Sequence, residues 1–183
     1  MGDFGKLLEE QIPRLRRYAR ALTRNAPMAD DLVQDCLTRA VTKQHLWQPG
    51  TDLRAWLFTI LHNQHVNYVR RSSKTGASVD VEQLASVLPI EPSALPSLEL
   101  RDLRVALAKL PIEQRETILL VGLEGMDYEA TASVLNVPIG TVRSRLSRGR
   151  AELRKLMGFG EEPKKSPAAH SPENGRKGLR RAA

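Results

Sequence analysis

The chain has 183 residues, 41% of them apolar, which is enough for one or two small cores and excludes disorder throughout. Lysine and arginine total 28 against 21 aspartate and glutamate, a net charge of +7 that points to an acidic partner, nucleic acid first. Cys36 is the single cysteine, so an internal disulfide is excluded, and four scattered histidines give no zinc-ligand spacing; neither metal nor cofactor is expected.

Asp3, Glu9 and Glu10 stand where a signal peptide needs an apolar run, and the longest apolar stretch, residues 118–123, is six long. The expectation is a cytoplasmic protein with no membrane partner. Charge is unevenly spread: net +4 over residues 1–71, −3 over 72–100, +3 over 101–157 and +3 over 158–183. Ser72, Ser73, Gly76, Ser78, Pro89, Pro92 and Pro96 gather in the acidic piece, which reads as a flexible linker over 72–97. Residues 158–183, rich in proline, glycine and scattered charge, read as a disordered basic tail.

In chain order, Leu7, Leu8, Ile12, Leu15, Tyr18, Ala19 and Leu22 have the spacing of an amphipathic helix, with Pro13 marking a break near its start and residues 25–27 its end. A second helix over 29–45 buries Leu32, Val33, Cys36, Leu37, Ala40 and Val41. Asp31, Gln34, Asp35, Thr38 and Thr42 share its opposite face. Taken from the helix alone, that polar, acidic face is an ordinary solvated surface, with Asp30 and Asp31 favouring the helix N-terminus. Cys36 lies in the apolar stripe with no general base four residues away, and reads as core.

Turn chemistry over 48–52 precedes a third helix over 53–71, whose buried stripe is Leu57, Leu61 and Tyr68 flanked by Phe58 and His65. Another face carries Trp56, Thr59, Asn63, Asn67 and Arg70, with Arg71 beside them. A stacking ring, amides for base edges and cations for phosphate are what single-stranded nucleic acid requires, whereas a core tryptophan and arginines capping the helix C-terminus are the plain alternative. His62 and His65 are three apart but lack a third metal ligand in register.

Beyond the linker, residues 98–110 read as a helix, and Pro111, near an N1 position, opens another through 123. Asp127 N-caps a short helix to 136 burying Tyr128, Ala132 and Leu135. Residues 137–140 make a tight turn that needs a left-handed Asn136, and Thr141 N-caps a helix to 157. This is a helix-turn-helix. Val142, Leu146, Gly149, Leu153 and Leu156 form its inward stripe, while Arg143, Ser144, Arg145, Ser147, Arg148 and Arg150 face elsewhere; residues 141–156 carry a local +5. Such a helix in the major groove offers bidentate arginine contacts to guanine and neutralises phosphates.

Four stretches resemble extracytoplasmic-function sigma factors of the sigma-70 family: Ala29-Asp-Asp-Leu-Val-Gln-Asp35, Gly50-Thr-Asp-Leu-Arg-Ala-Trp-Leu-Phe-Thr-Ile-Leu-His-Asn63, Leu110-Pro-Ile-Glu-Gln-Arg-Glu116 and Gly140-Thr-Val-Arg-Ser-Arg-Leu146. The wording of residues 48–56 and 121–125 is most similar to the general-stress-response subgroup of alphaproteobacteria. The resemblance implies an all-α chain with a sigma region 2 domain over 1–71 and a sigma region 4 domain over 98–157. It implies no catalytic chemistry. Its partners would be core RNA polymerase, promoter DNA and a small anti-sigma protein, with the free chain a monomer. The face of Asp31, Gln34, Asp35 and Thr38 would bind the polymerase; Trp56, Asn63, Asn67, Arg70 and Arg71 would melt the minus ten element. Thr141, Arg143, Ser144, Arg145, Ser147, Arg148 and Arg150 would read the minus thirty-five element. The alternatives are a sigma-like decoy for an anti-sigma protein, which would carry a phosphoacceptor receiver domain, and a helix-turn-helix repressor.

Overall fold

The structure, a computed structural model, describes residues 2–74 and 98–159; the linker expected over 72–97, beyond its first residues, and the tail from 160 onward lie outside them. Every regular element among the described residues is helical. Helix α1 spans Gly2–Thr23, α2 Ala26–Thr42, α3 Leu53–Lys74, α4 Leu98–Lys109, α5 Ile112–Ile118, α6 Tyr128–Leu135 and α7 Ile139–Leu156. A 3-10 turn, Gln44–Leu46, follows α2, and α5 widens into a π turn, Leu119–Leu123.

The expected break at Pro13 does not occur: α1 runs through it. Proline there removes only the bond to the carbonyl of Glu9, and both residues are exposed, so water can serve that carbonyl. Helix α2 starts three residues earlier than expected because Asn25 is its N-cap, its side chain accepting from the Met28 N–H at 2.9 Å, and Pro27 fits the first turn, where no N–H is needed. The chain reverses at Arg24, which takes φ 58°. Asp52 starts α3 in the same way, accepting from the Ala55 N–H at 3.1 Å.

Leu8, Leu15, Tyr18 and Leu22 of α1 pack with Leu32, Val33 and Cys36 of α2 and with Leu57, Phe58 and Leu61 of α3. Tyr18 and Phe58 meet edge to face, centroids 5.0 Å apart. Val41 and Tyr68, expected in the core, are exposed, as is Leu7. Helix α3 outruns its neighbours: every residue from Asn67 to Arg71 is exposed, so Tyr68 has nothing to pack against. The same holds for Val41, since α2 stops being buried at Ala40.

In the second half Pro111 takes the N-cap place of α5, one position before the expected N1. Asp127 caps α6 by accepting from the Ala130 N–H at 2.6 Å, and Ala132, Val134 and Leu135 are buried, while Tyr128 is only half-buried. Asn136 adopts the left-handed conformation, φ 51° and ψ 50°. The Val137 N–H bonds the Ala132 carbonyl at 3.0 Å and the Asn136 N–H bonds that of Ser133 at 3.3 Å, the paired closure of a Schellman turn. Helix α7 then lies close on α5: a Cβ on Gly149 would stand 2.8 Å from Ile118 Cδ1 and 3.2 Å from Gln114 Cβ. The two halves are not separate bodies. Leu119, Leu120, Met126, Val134 and Leu135 join the same apolar cluster as the α1–α3 core, with α3 against α6 and α1 against the π turn.

Candidate functional site

The arginine-rich helix presents its charge to solvent. Arg143, Ser147, Arg148 and Arg150 are exposed, and Thr141, Ser144 and Arg145 are half-buried, while Val142, Leu146 and Gly149 turn inward. Arg143, Ser147 and Arg150 share one exposed line at offsets of four and three. Arg148 folds back on its own helix, its guanidinium 3.3 Å from the Ser144 carbonyl and 3.2 Å from the Ser144 hydroxyl. Thr141 is not the N-cap. The Pro138 carbonyl already accepts the Thr141 and Val142 N–H groups at 2.9 and 3.2 Å, so α7 begins at Ile139 and Arg143 falls in its second turn.

In the first half, Asp31, Gln34, Asp35 and Thr38 are exposed on one side of α2; the Thr38 hydroxyl donates to the Gln34 carbonyl at 2.9 Å. Asn63, Asn67, Arg70 and Arg71 are exposed on α3. Trp56 is half-buried and packs on the core. Below it the loop into α3 turns at Gly50, φ 92°, and closes through the Thr51 N–H and hydroxyl, 3.1 and 2.7 Å from the Gln48 carbonyl.

A buried polar seam joins the two halves, and it was not found from sequence. Glu116 on α5 is 4% exposed and its Oε1 lies 3.1 Å from His65 Nδ1 and 3.4 Å from His62 Nδ1 on α3. Burial pushes this carboxyl up, but the two imidazoles outweigh it and hold it at about 2. Glu124 Oε1 accepts from Arg17 Nε and Nη2 at 3.2 and 2.8 Å, and its carbonyl accepts from Arg54 at 3.1 Å. Arg115 donates to the Leu22 carbonyl across the seam and to Leu107, Ala108 and Leu110 within its own half. Burial, then Arg24, lowers its guanidinium pKa, with Glu116 opposing. Burial, with Glu116 and Glu124 nearby, raises the Tyr18 hydroxyl well above its ordinary value. The histidine pair noted in the sequence therefore serves a carboxylate, and no group of three or more ligating side chains among the described residues could hold a metal ion. Burial pushes the Cys36 thiol to about 12, and it donates weakly to the Leu57 carbonyl at 3.4 Å. No described helix is long and apolar enough to cross a membrane.

Residues 8–62 match the family described as the Sigma2 domain of PhyR, and residues 100–153 match sigma-70 region 4. The extracytoplasmic-function RNA polymerase sigma factor EcfG of Rhodopseudomonas palustris is 40% identical over 146 residues, spanning 80% of each chain. The chain belongs to the extracytoplasmic-function sigma factors. Another relative, the RNA polymerase sigma factor CarQ of Myxococcus xanthus, is 30% identical over 85% of this chain and 89% of its own. The solved sigma factor RpoE of Bartonella quintana, in complex with the anti-sigma factor NepR, superposes with a TM-score of 0.74 at 36% identity, covering 88% of this chain and all of that one. The anti-anti-sigma factor PhyR of the same organism shares the fold, with a TM-score of 0.55 at 16% identity over 84% of this chain and 50% of that one. The sigma factor thus has two all-helical domains, related to sigma regions 2 and 4.

Proposed function

We propose that this sigma factor binds core RNA polymerase and directs it to the promoters of a stress regulon, under control of a small anti-sigma protein. The carrying observation is that one chain holds a region 2 match and a region 4 match in order, is 40% identical to EcfG, and exposes an arginine-rich α7. Residues 1–71 supply the first domain and 98–157 the second, with 72–97 connecting them and 158–183 as a basic tail. Core polymerase docks on Asp31, Gln34, Asp35 and Thr38. Trp56, Asn63, Asn67, Arg70 and Arg71 take the opened minus ten strand. Thr141, Arg143, Ser144, Arg145, Ser147, Arg148 and Arg150 hold the minus thirty-five duplex, with exposed Arg143 best placed for a base edge. The protein works in the cytoplasm, a monomer when free, with no catalytic chemistry of its own.

Anti-sigma control is supported by RpoE, solved with NepR, and by CnrH, solved with the cytosolic domain of CnrY at 28% identity and a TM-score of 0.62. The match of residues 8–62 to the PhyR domain favours a second reading, a decoy that binds the anti-sigma protein alone. The +5 of residues 141–156 has no use in a decoy. Copurification with core polymerase separates the two readings. The wild type should be retained, and Asp31→Lys or Asp35→Lys should weaken retention while leaving the fold intact, since both side chains are exposed. Failure of the wild type to bind polymerase would refute the sigma assignment.

A further inference from the structure

The outer face of α1 carries charge that none of the sites above uses. From Pro13 to Arg24 the chain has five arginines, Arg14, Arg16, Arg17, Arg20 and Arg24, and no acidic residue. Leu8, Leu15, Tyr18 and Leu22 turn the opposite side of the helix into the core, and Arg14, Arg16, Arg17 and Arg20 are all exposed. Interaction with the helix dipole accounts for Arg20, in the last turn, but fades before Arg14, Arg16 and Arg17 are reached. Carboxylates answer only part of this charge. Glu124 holds Arg17 at 2.8 Å, whereas Asp30 stands 3.9 Å from Arg16 and 3.6 Å from Arg20, too far for hydrogen bonds, and no described residue pairs with Arg14. Arg115, its charge already disfavoured by burial, is opposed further by Arg24 just past the end of the same helix.

The kind of anion that fits is set by shape and by what the face lacks. Protein interfaces form around apolar or aromatic anchors. Leu7, two turns before Arg14, is the one large apolar residue that α1 exposes among the described residues. A duplex backbone needs no such anchor. It carries one charge per ~1.7 Å of axis, so the roughly 9 Å of α1 from Arg14 to Arg20, at ~1.5 Å per residue, faces several phosphates whatever the sequence. Guanidinium forks pair with two phosphate oxygens at once. We propose that α1, through Arg14, Arg16 and Arg20, binds the phosphate backbone of duplex DNA without reading its sequence, a third contact separate from α3 and α7. That the DNA is a promoter's rests on the promoter-binding reading above; the contact itself does not.

The test titrates the full chain against a fluorescent duplex of scrambled sequence between about 50 and 200 mM salt. Arg14→Ala, Arg16→Ala and Arg20→Ala combined remove three phosphate contacts. They should flatten the slope of log affinity against log salt by about 2.7 and weaken binding roughly tenfold or more at the low-salt end. Lysine at the same three positions should restore most of the slope, since phosphate responds to the charge. If the triple alanine variant loses helix content, Arg14→Ala alone decides, with an expected change of about 0.9. A wild type that fails to hold this duplex at low salt, or a slope unchanged in the variants, would overturn the proposal. So would a variant that keeps the slope but is no longer retained by core polymerase, which would make the stripe a protein-binding surface. A flattened slope in variants of a chain that yields no transcript with core polymerase leaves the α1 contact standing and the promoter reading fallen. An unchanged slope with transcription intact does the reverse.

Discussion

His65 Nδ1 lies 3.1 Å from Glu116 Oε1, a buried contact between residues 51 apart in the chain and on different domains. It ties a carboxylate of the helix-turn-helix half to the helix that carries Asn63 and Asn67, so the two halves share one electrostatic junction.

The ionised state of Glu116 therefore contributes to holding the two halves together. Its carboxyl, raised by burial and lowered further by the two imidazoles, sits at about 2, against about 4.3 when free. A depressed acid stabilises above its free value and loses that contribution as pH falls through the folded one, so this contact should stabilise the fold near neutral pH and weaken from about pH 4 downward. The groups that interact with Glu116 are Tyr18 from α1, His62 and His65 from α3 and Arg115 on α5, and Glu124 beyond the π turn shares Tyr18 with it while holding Arg17 and Arg54. On its other side α5 meets uncharged Gly149 of α7. Thermal midpoints measured from pH 7 to pH 3 should fall less steeply for Glu116→Gln than for the wild type. Parallel slopes would show that Glu116 is not the acid involved.

Gly149 sets the distance between α5 and α7, because a Cβ there would press on Ile118 and Gln114. Gly149→Leu should destabilise the helix-turn-helix by about 1–3 kcal/mol through overpacking. Denaturant titration of the variant checks this, and an unchanged midpoint would mean the helices separate without cost.

The amides of Asn63 and Asn67 are exposed on α3 and should matter only once bases are unpaired. Alanine at either should reduce open-complex formation more than closed-duplex binding. Equal losses in binding a closed duplex and a pre-melted bubble template would count against the assignment.

Arg143 stands free in the second turn of α7, whereas Arg148 is already engaged with Ser144. Arg143→Ala should cost about 1–3 kcal/mol at one base pair and relax preference there, while Arg150→Ala should weaken all sequences alike and lower the salt slope by about one. Selection of bound duplexes at two salt concentrations distinguishes these effects. Unchanged preference in the Arg143 variant would show that α7 holds DNA without reading it.

The helix-turn-helix was legible in sequence because its signals are local: Asp127, Asn136 and Pro138 act within a few residues of themselves, and the inward stripe repeats at helical spacing. Local signals also misled. Pro13 looks like a break until its exposed side is seen, and Thr141 looks like a cap until Pro138 supplies the first carbonyl. Tyr68 has the right periodicity, but periodicity cannot show that the neighbouring helices have ended. The seam escaped notice for a different reason: its bonded pairs, His65 with Glu116 and Arg17 with Glu124, are 51 and 107 positions apart, and only the folded chain brings them together.

Run-off transcription on a library of two-element promoters, with core polymerase from an alphaproteobacterium, measures whether this chain selects promoters for RNA polymerase. Adding the chain should produce transcripts from a subset of templates sharing both elements, and Arg143→Ala should shift that subset at the minus thirty-five position alone. No transcript above that of core polymerase by itself, with the chain still binding an anti-sigma protein or duplex DNA, would contradict it.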